Sequence, residues 1–287
     1  MSDTPVTLGD LQRSGRARLA AAGVGSAALD ATLLLCAATG ERREAVMAYP
    51  ERFAPAAAAE TYRAMIDRRA AREPVSRILG RREFWGLDFA VAPPVLDPRP
   101  DTETLVRAAL DWLEYRPASR IVDLGTGSGC ILLSLLHERP DDTGIGVDAS
   151  QAALAVARGN AGVLGLSRRA AFVQGDWTAG LRDAAADLVV SNPPYIPSGD
   201  ITALEPEVRE FDPMGALDGG PDGLAAYRAI AASLGRVLAP GGGAFLEIGA
   251  GQEDAVTALF EAAGASVQRF RDLSGRVRCL GVFFAGP

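Results

Sequence analysis

Arg120-Ile121-Val122-Asp123-Leu124-Gly125-Thr126-Gly127-Ser128-Gly129, RIVDLGTGSG, is the stretch whose reading decides the fold. Arg120–Leu124 reads as a buried strand, alternating glycines follow, and Cys130–His137 reads as a helix. Glycines let the backbone take positive φ and approach a ligand closely, and a helix start offers unpaired N–H groups. Alone, such a turn fits a nucleotide, a nucleoside or simply tight packing. The GxGxxG dinucleotide spacing fails because Cys130 stands where the third glycine belongs. A Walker A loop is excluded, since the chain has no lysine.

Outward from that turn, strand and helix alternate. Further strands are expected at Gly144–Asp148, Ala171–Gln174, Leu188–Asn192, Ala244–Ile248, Ser266–Phe270 and Cys279–Phe284. Helices are expected at Ala152–Ala161, Leu224–Leu238 and Glu253–Ala263. This is the pattern of an α/β protein with a doubly wound, mostly parallel seven-stranded sheet covered on both faces. The last two strands lie too close for a crossover helix, so they should pair antiparallel at the C-terminal edge. Residues 1–75 read as a smaller helical domain, with Leu8, Leu11 and Leu19 on one face and Ser26 capping a helix that carries Leu29, Leu33 and Leu34. Residues 76–100 contain Phe84-Trp85-Gly86-Leu87-Asp88-Phe89, a β-hairpin pattern linking that domain to residues 101–287.

Composition narrows the function. The chain has 287 residues, a formal charge of −7 and 29 basic residues, all arginine. No general attraction to nucleic acid follows from that balance. A local basic patch such as Arg68-Arg69 with Arg72 could still attract nucleic acid, but on a helix it reads as a solvated face. Three widely spaced cysteines, Cys36, Cys130 and Cys279, give neither a disulfide framework nor metal-ligand spacing, so no metal is expected. With no signal-peptide pattern and no apolar run of spanning length, a cytoplasmic protein independent of membranes is expected.

Doubly wound sheets bind ligands at the carboxyl ends of their strands. Asp148 ends the second strand, where an acid suits ribose hydroxyls, although Ser150 nearby is the better helix cap. Gly175-Asp176-Trp177 follows the third, an acid and a flat ring suited to adenine. Glycine loop, acid, then acid with aromatic imply an adenosine derivative, and S-adenosylmethionine fits best. The fourth strand end delivers Asn192-Pro193-Pro194-Tyr195, one of only two asparagines in the chain (the other is Asn160). Pro193 disfavours the α region for Asn192 and Pro194 does the same to Pro193, so this backbone is stiff. Asn192 Oδ1 and the Pro193 carbonyl can then accept from one NH2 group while Tyr195 packs on a planar substrate. A conjugated amide or aryl nitrogen is a poor nucleophile, and two such acceptors orient it and strengthen as it becomes cationic. The sole histidine, His137, sits in a helix body and reads as surface or packing.

With these residues in view, the chain resembles the PrmC/HemK family, the protein-(glutamine-N5) methyltransferases of peptide chain release factors. The resemblance rests on EPVSRILGRREFWGLDF (Glu73–Phe89), PRPDTETLV (Pro98–Val106), DLGTGSG (Asp123–Gly129), GDW (Gly175–Trp177), SNPPYI (Ser191–Ile196) and LEIG (Leu246–Gly249). It implies a class I methyltransferase (Rossmann-like) sheet and an N-terminal release-factor-binding domain. It also implies S-adenosylmethionine, released as S-adenosylhomocysteine, against Gly125, Thr126, Gly127, Ser128, Gly129, Asp148, Asp176, Trp177 and Asn192. The substrate, the glutamine of the Gly-Gly-Gln motif in class 1 release factors, would then meet Asn192, Pro193, Pro194 and Tyr195, with Asn192, Pro193 and Tyr195 catalytic. A monomer making no direct contact with nucleic acid is expected. Two local departures stand out: Asp97 before PRPDTE, where an apolar residue is usual and where it could alter the pocket edge, and Asp212 in Phe211-Asp212-Pro213, where Phe-Glu-Pro is common. Three alternatives remain: a glutamine methyltransferase of a ribosomal protein, an N6-adenine methyltransferase, and a regulatory module that only binds S-adenosylmethionine. The acidic stretch Gly199–Pro213 and the net charge disfavour the adenine reading, and a regulatory module leaves Asn192 unexplained.

Overall fold

A computed structural model describes residues 5–285. The chain divides into two compact units: residues 1–81 with Glu205–Phe211, and residues 82–204 with 212–287. The smaller unit is helical, with α1 (Leu8–Ala21), α2 (Ala27–Thr39), α3 (Arg43–Ala48), α4 (Ala56–Ala70) and α5 (Val75–Leu79). Leu8, Leu11 and Leu19 are buried against Ala31, Leu34, Leu35, Tyr62 and Ile66.

Three readings of this unit change. Ser26 stands at the N-cap of α2 but makes no capping bond; its hydroxyl donates to Asp30 Oδ2 at 2.8 Å instead. Leu29 and Leu33 are exposed, because the inward stripe is Ala27, Asp30, Ala31, Leu34 and Leu35. The arginine patch is not a free solvated face. Arg69 is buried and donates through Nε to Asp30 Oδ2 at 2.7 Å and through Nη2 to Glu207 Oε1 at 2.9 Å. Arg72 reaches Glu205 and Glu207, and Arg68 pairs with Glu73. Asp30 of α2 and Glu207 of the acidic stretch thus supply the counter-ions that let a guanidinium lie inside a small helical core.

The larger unit opens with a two-stranded sheet, β1 (Arg81–Phe84) and β2 (Leu87–Ala90), turned by Trp85 and Gly86. Both turn residues have positive φ, 54° and 71°, as a tight two-residue hairpin requires. Phe84 and Phe89, one on each strand of the hairpin, are buried in this unit's core. Next come α6 (Glu103–Leu113), β3 (Arg120–Leu124), α7 (Cys130–Glu138), β4 (Thr143–Asp148), α8 (Gln151–Val163), β5 (Ala170–Gln174) and β6 (Ala186–Ser191). After the short α9 (Pro206–Arg209) and α10 (Met214–Leu217) follow α11 (Ala225–Ala231), α12 (Leu234–Val237), β7 (Leu238–Glu247), α13 (Glu253–Ala262), β8 (Ala265–Arg271) and β9 (Val277–Phe284). The seven large strands form one sheet in the order β5-β4-β3-β6-β7-β9-β8. The first five are parallel, and β9 runs antiparallel to both β7 and β8, as expected for the C-terminal edge. This is the class I methyltransferase arrangement.

Side chains alternate faces along each strand, so the sheet divides two cores. Ile121, Leu188, Val190 and Phe245 join α6, α7 and α8 on one side. Val122, Val189, Ala244 and Leu246 join α11 and α13 on the other. The helix expected over Leu224–Leu238 is broken at Ala232-Ser233, where the Ser233 hydroxyl meets Thr178 Oγ1 and φ swings to −141°. β7 starts at Leu238, earlier than expected, because Gly241–Gly243 lets it bulge against β6 without losing the sheet. Among the described residues no helix is long and apolar enough to cross a membrane.

Truncating Arg69 to Ala should strand Asp30 as a buried, unpaired charge and cost about 3–5 kcal/mol. Urea denaturation of the full chain measures this; a loss below about 1 kcal/mol would show that Asp30 finds water instead.

Candidate active site

Strand register assembles the site. Leu124 at the end of β3 lies between Val147 of β4 and Ser191 of β6, and Ser191 in turn pairs with Leu246 of β7. Chain order runs outward from β3 to β5, then returns to place β6 on the other flank of β3. That reversal is the topological switch point, where such sheets leave a crevice. A cavity of about 450 Å3 opens there, the size of a small-ligand site. Its wall includes Gly125, Thr126, Gly127, Ser128, Asp148, Gly175, Asp176, Trp177, Asn192 and Pro194. Gly129, Pro193 and Tyr195 are not in that wall.

Gly125, Gly127 and Gly129 all have positive φ, so the turn from β3 into α7 coils back on itself. The Gly125 and Thr126 N–H groups donate to Val147 O at 2.8 and 3.0 Å. Asp148 spans the crevice end of β4: Oδ2 accepts from Gly127 N at 2.9 Å and Oδ1 from Ser150 N at 2.8 Å. Ser150 caps α8 through Ala153 N, as expected, so Asp148 is not the cap. A carboxylate has about four lone-pair sites, and Asp148 keeps acceptor capacity beside the cavity. Trp177 holds φ +47°, uncommon for a bulky residue, and its ring lies 3.6 Å from where a Cβ on Gly125 would sit. A Cβ at Gly125 would only touch this ring, so it is the positive φ of 71° that requires glycine there. Asp176 beside it is exposed.

Asn192 follows β6, which stops at Ser191, one residue short of expectation. Its Nδ2 donates to Thr102 Oγ1 at 3.2 Å. Behind it, Gln252 Nε2 donates to Tyr195 O at 2.9 Å while Gln252 Oε1 accepts from Gly249 N at 3.0 Å. Gly223 packs so closely that a Cβ there would lie 2.4 Å from Tyr195 O. The Asn-Pro-Pro-Tyr backbone is therefore clamped from outside as well as stiffened by its own rings. Burial pushes the Tyr195 hydroxyl up to about 12, so it stays protonated at neutral pH. The second asparagine, Asn160, is also scaffold for the site. It accepts from Ala90 N and donates to Ala90 O and Ser128 O, tying the hairpin to the glycine loop.

The two departures from the family pattern meet each other. Asp97 N donates to Asp212 Oδ1 at 3.3 Å, and Asp212 Oδ2 receives Arg99 Nη2 at 2.5 Å. Asp97 is buried and outside the cavity wall, which Leu96, Pro98 and Arg99 form instead. His137 is exposed at the far end of α7.

Several contributors escaped sequence reading. Thr102 lies within the PRPDTE stretch, yet only contact with Asn192 reveals its task. Asp123 is fully buried, with Oδ2 taking the Thr126 hydroxyl at 2.6 Å and Oδ1 left without a partner. Burial raises its carboxyl to about 7 against the Thr126 bond, which lowers it. Glu247, the acid of LEIG, is likewise enclosed and raised to about 7 by burial.

The chain also matches known proteins in sequence. Residues 10–80 match the PrmC N-terminal domain and residues 102–204 the methyltransferase small domain. The chain is 50% identical over 279 residues to the release factor glutamine methyltransferase of Rhodospirillum rubrum, covering 97% of this chain and 85% of that protein. It is 50% identical over 270 residues to the namesake of Caulobacter vibrioides, covering 94% and 93%. The chain belongs to the release factor glutamine methyltransferase family. Solved structures share the fold at low identity. A methyltransferase from Pyrococcus furiosus is 16% identical with a TM-score of 0.52, covering 78% of this chain and 98% of that one. The hMettl16 catalytic domain, solved with MAT2A 3′UTR hairpin 6, is 17% identical with a TM-score of 0.58, covering 77% and 82%.

Because the folded Asp123 carboxyl titrates near 7 against an ordinary 3.8, it stays protonated in the folded state between those values. Its share of stability is present at pH 4 and lost as pH rises through 7. The unfolding free energy of Asp123→Asn should therefore gain on the parent chain between pH 5 and 8, by on the order of 3 kcal/mol. Urea titrations at the two pH values measure the gap; parallel behaviour would mean that Asp123 is ionised throughout.

Proposed function

We propose that this protein transfers a methyl group from S-adenosylmethionine to the side-chain amide nitrogen of the Gly-Gly-Gln glutamine in class 1 peptide chain release factors. The observation that carries the reading is the Asn192 amide, set at the switch-point crevice beside the glycine loop with its Nδ2 side engaged by Thr102. That leaves Oδ1 as an acceptor for an N–H of the substrate. Acceptor capacity at Asp148, the Trp177 ring and the glycine turn fit the ribose, adenine and methionine parts of S-adenosylmethionine in a cavity of suitable size. When bound, that group supplies a methyl on a positively charged sulfur.

Asn192 Oδ1 and the Pro193 carbonyl take the two N–H bonds of the glutamine amide, and Tyr195 packs against its plane. With S-adenosylmethionine bound, the amide nitrogen would take the methyl, the carbon–sulfur bonding pair would stay on sulfur, and one N–H proton would pass to water. Positive charge grows on nitrogen during transfer, so both acceptor bonds strengthen toward the transition state. Holding the amide in line supplies the rest through proximity. Residues 1–75 serve as the docking domain for the release factor, residues 76–100 as the hairpin linker and residues 101–287 as the catalytic domain. The protein works as a cytoplasmic monomer, and its three free thiols fit a reducing compartment.

Asn192→Ala should lower kcat roughly a hundredfold or more, as loss of a preorganised transition-state hydrogen bond does. Near-normal turnover would remove Asn192 from the chemistry. Asp148→Ala should mainly raise KM for S-adenosylmethionine, and unchanged cofactor affinity would reduce Asp148 to a scaffold role. Labelled S-adenosylmethionine offered with a release factor, its Gln→Ala variant, ribosomal proteins and duplex DNA tests the substrate. Label is expected on the intact release factor alone; label on DNA or on ribosomal protein instead would overturn the assignment.

A further inference from the structure

Parallel register puts an acid beside Asn192. Ser191 of β6 pairs with Leu246 of β7, so the next residue on each strand, Asn192 and Glu247, emerge side by side. Glu247 is 3% exposed, and on its other flank it pairs with Cys279 of β9. Its carboxyl faces the polar groups of Thr102 and Asn192, which favour its ionised form, and Oε2 has no hydrogen-bond partner. Its backbone carbonyl is also engaged, accepting from the Tyr227 hydroxyl at 2.8 Å. This strand is therefore held firmly where the carboxylate projects.

Hydrogen-bond inventory then orients the three side chains. Thr102 Oγ1 accepts from Asn192 Nδ2, so its own hydroxyl proton is free to point at the Glu247 carboxylate. The Nδ2 group has one more hydrogen, and an ionised carboxylate is an acceptor only. We infer that Glu247 is a positioning residue for Asn192: with Thr102 it takes up the Nδ2 side of the amide, leaving Oδ1 turned toward the cavity. This rests on the reading of Asn192 as the group that grips the substrate amide. A flipped Asn192 would present NH2 to the NH2 of a glutamine, donor against donor. An ionised Glu247 forbids the flip, because Oδ1 would then face a carboxylate.

The same carboxylate has an electrostatic use. It places a negative charge in a dry site behind Asn192, on the side from which cationic character at the substrate nitrogen is stabilised. The other titratable groups that face Glu247 are Arg278, Asp101, Tyr195, Tyr227, Cys130 and Cys279. Arg278 favours ionisation and Asp101 opposes it, but the two form an ion pair at 3.1 Å. Burial outweighs these effects and puts the Glu247 titration near neutral pH. Below that pH a protonated Glu247 becomes a donor and ceases to hold the amide in one sense.

The test is the pH dependence of kcat and KM for parent, Glu247→Gln, Thr102→Val and Asn192→Ala, with S-adenosylmethionine and a release factor as substrates. Glu247→Gln keeps the shape but loses the charge and the acceptor-only character. It should lose at least tenfold in kcat with KM for S-adenosylmethionine within twofold, and the acid limb near pH 7 should flatten. Should that variant fail to fold by circular dichroism, Thr102→Val carries the test: a drop in kcat with unchanged KM is expected. Parent-like kcat and pH profile in Glu247→Gln, or in Thr102→Val if that is the folded variant, overturn the inference. Asn192→Ala separates this from the reading beneath it. An inactive Asn192→Ala with a parent-like Glu247→Gln removes only the role of Glu247, whereas an active Asn192→Ala removes the role of Asn192 and this inference with it.

Discussion

The register of β6 between β3 and β7 is the constraint on which the site depends. Because Ser191 lies opposite Leu124 on one side and Leu246 on the other, Asn192 must emerge between the glycine turn and Glu247. A slip of one residue would reverse every side chain along β6, sending Val189 to the wrong core and Asn192 out of the crevice. Packing on both faces prevents that slip. Leu188 and Val190 are committed to one core and Val189 to the other. Apolar burial thus sets where a hydrogen-bonding group stands, though no apolar side chain takes part in the chemistry.

Buried polar groups complete what register begins. Ser191 Oγ donates to Leu124 O at 2.7 Å, stitching β6 to β3 directly below the crevice. Asp148 and Asn160 take up backbone groups of the glycine turn, the Gly127 N–H and the Ser128 carbonyl. Each of these residues would cost stability if left without partners, and each instead holds one conformation of a turn that glycine alone would leave loose. Asp123 and Glu247 each keep an oxygen without a hydrogen-bond partner in the interior, as do the hydroxyls of Ser134 and Tyr62. The two carboxyls lie at the ends of β3 and β7, beside the cavity, where unsatisfied polar groups are commonly kept for function.

Much of this was legible in the residues. Period-two and period-3.6 patterns marked the strands and most helices, and the antiparallel edge followed from the short link between β8 and β9. The glycine turn, Asp148, Trp177 and Asn192 could be read because each sits at a strand end and carries a residue type that a strand has no need of. Other features were hidden for definite reasons. Leu29 and Leu33 look like core residues, but Asp30 takes the inward position because Arg69, 39 residues away, neutralises it. The break at Ser233 depends on Thr178, a partner 55 residues distant. Asp97 and Asp212 each looked like a separate departure, yet 115 residues apart they share one hydrogen bond.

By itself the sequence determined the order of strands and helices, the stiff Asn-Pro-Pro-Tyr turn and the family to which it points, since these rest on local dihedral limits and on apolar periodicity. Tertiary structure alone decided which groups stand beside Asn192. Thr102 and Glu247 reach it from 90 and 55 positions away in the chain, Thr102 by a hydrogen bond and Glu247 by strand register. Hydrogen bonds and burial depend on distance in space, which no local pattern records, so the partners that orient the amide became visible only when the sheet closed around it.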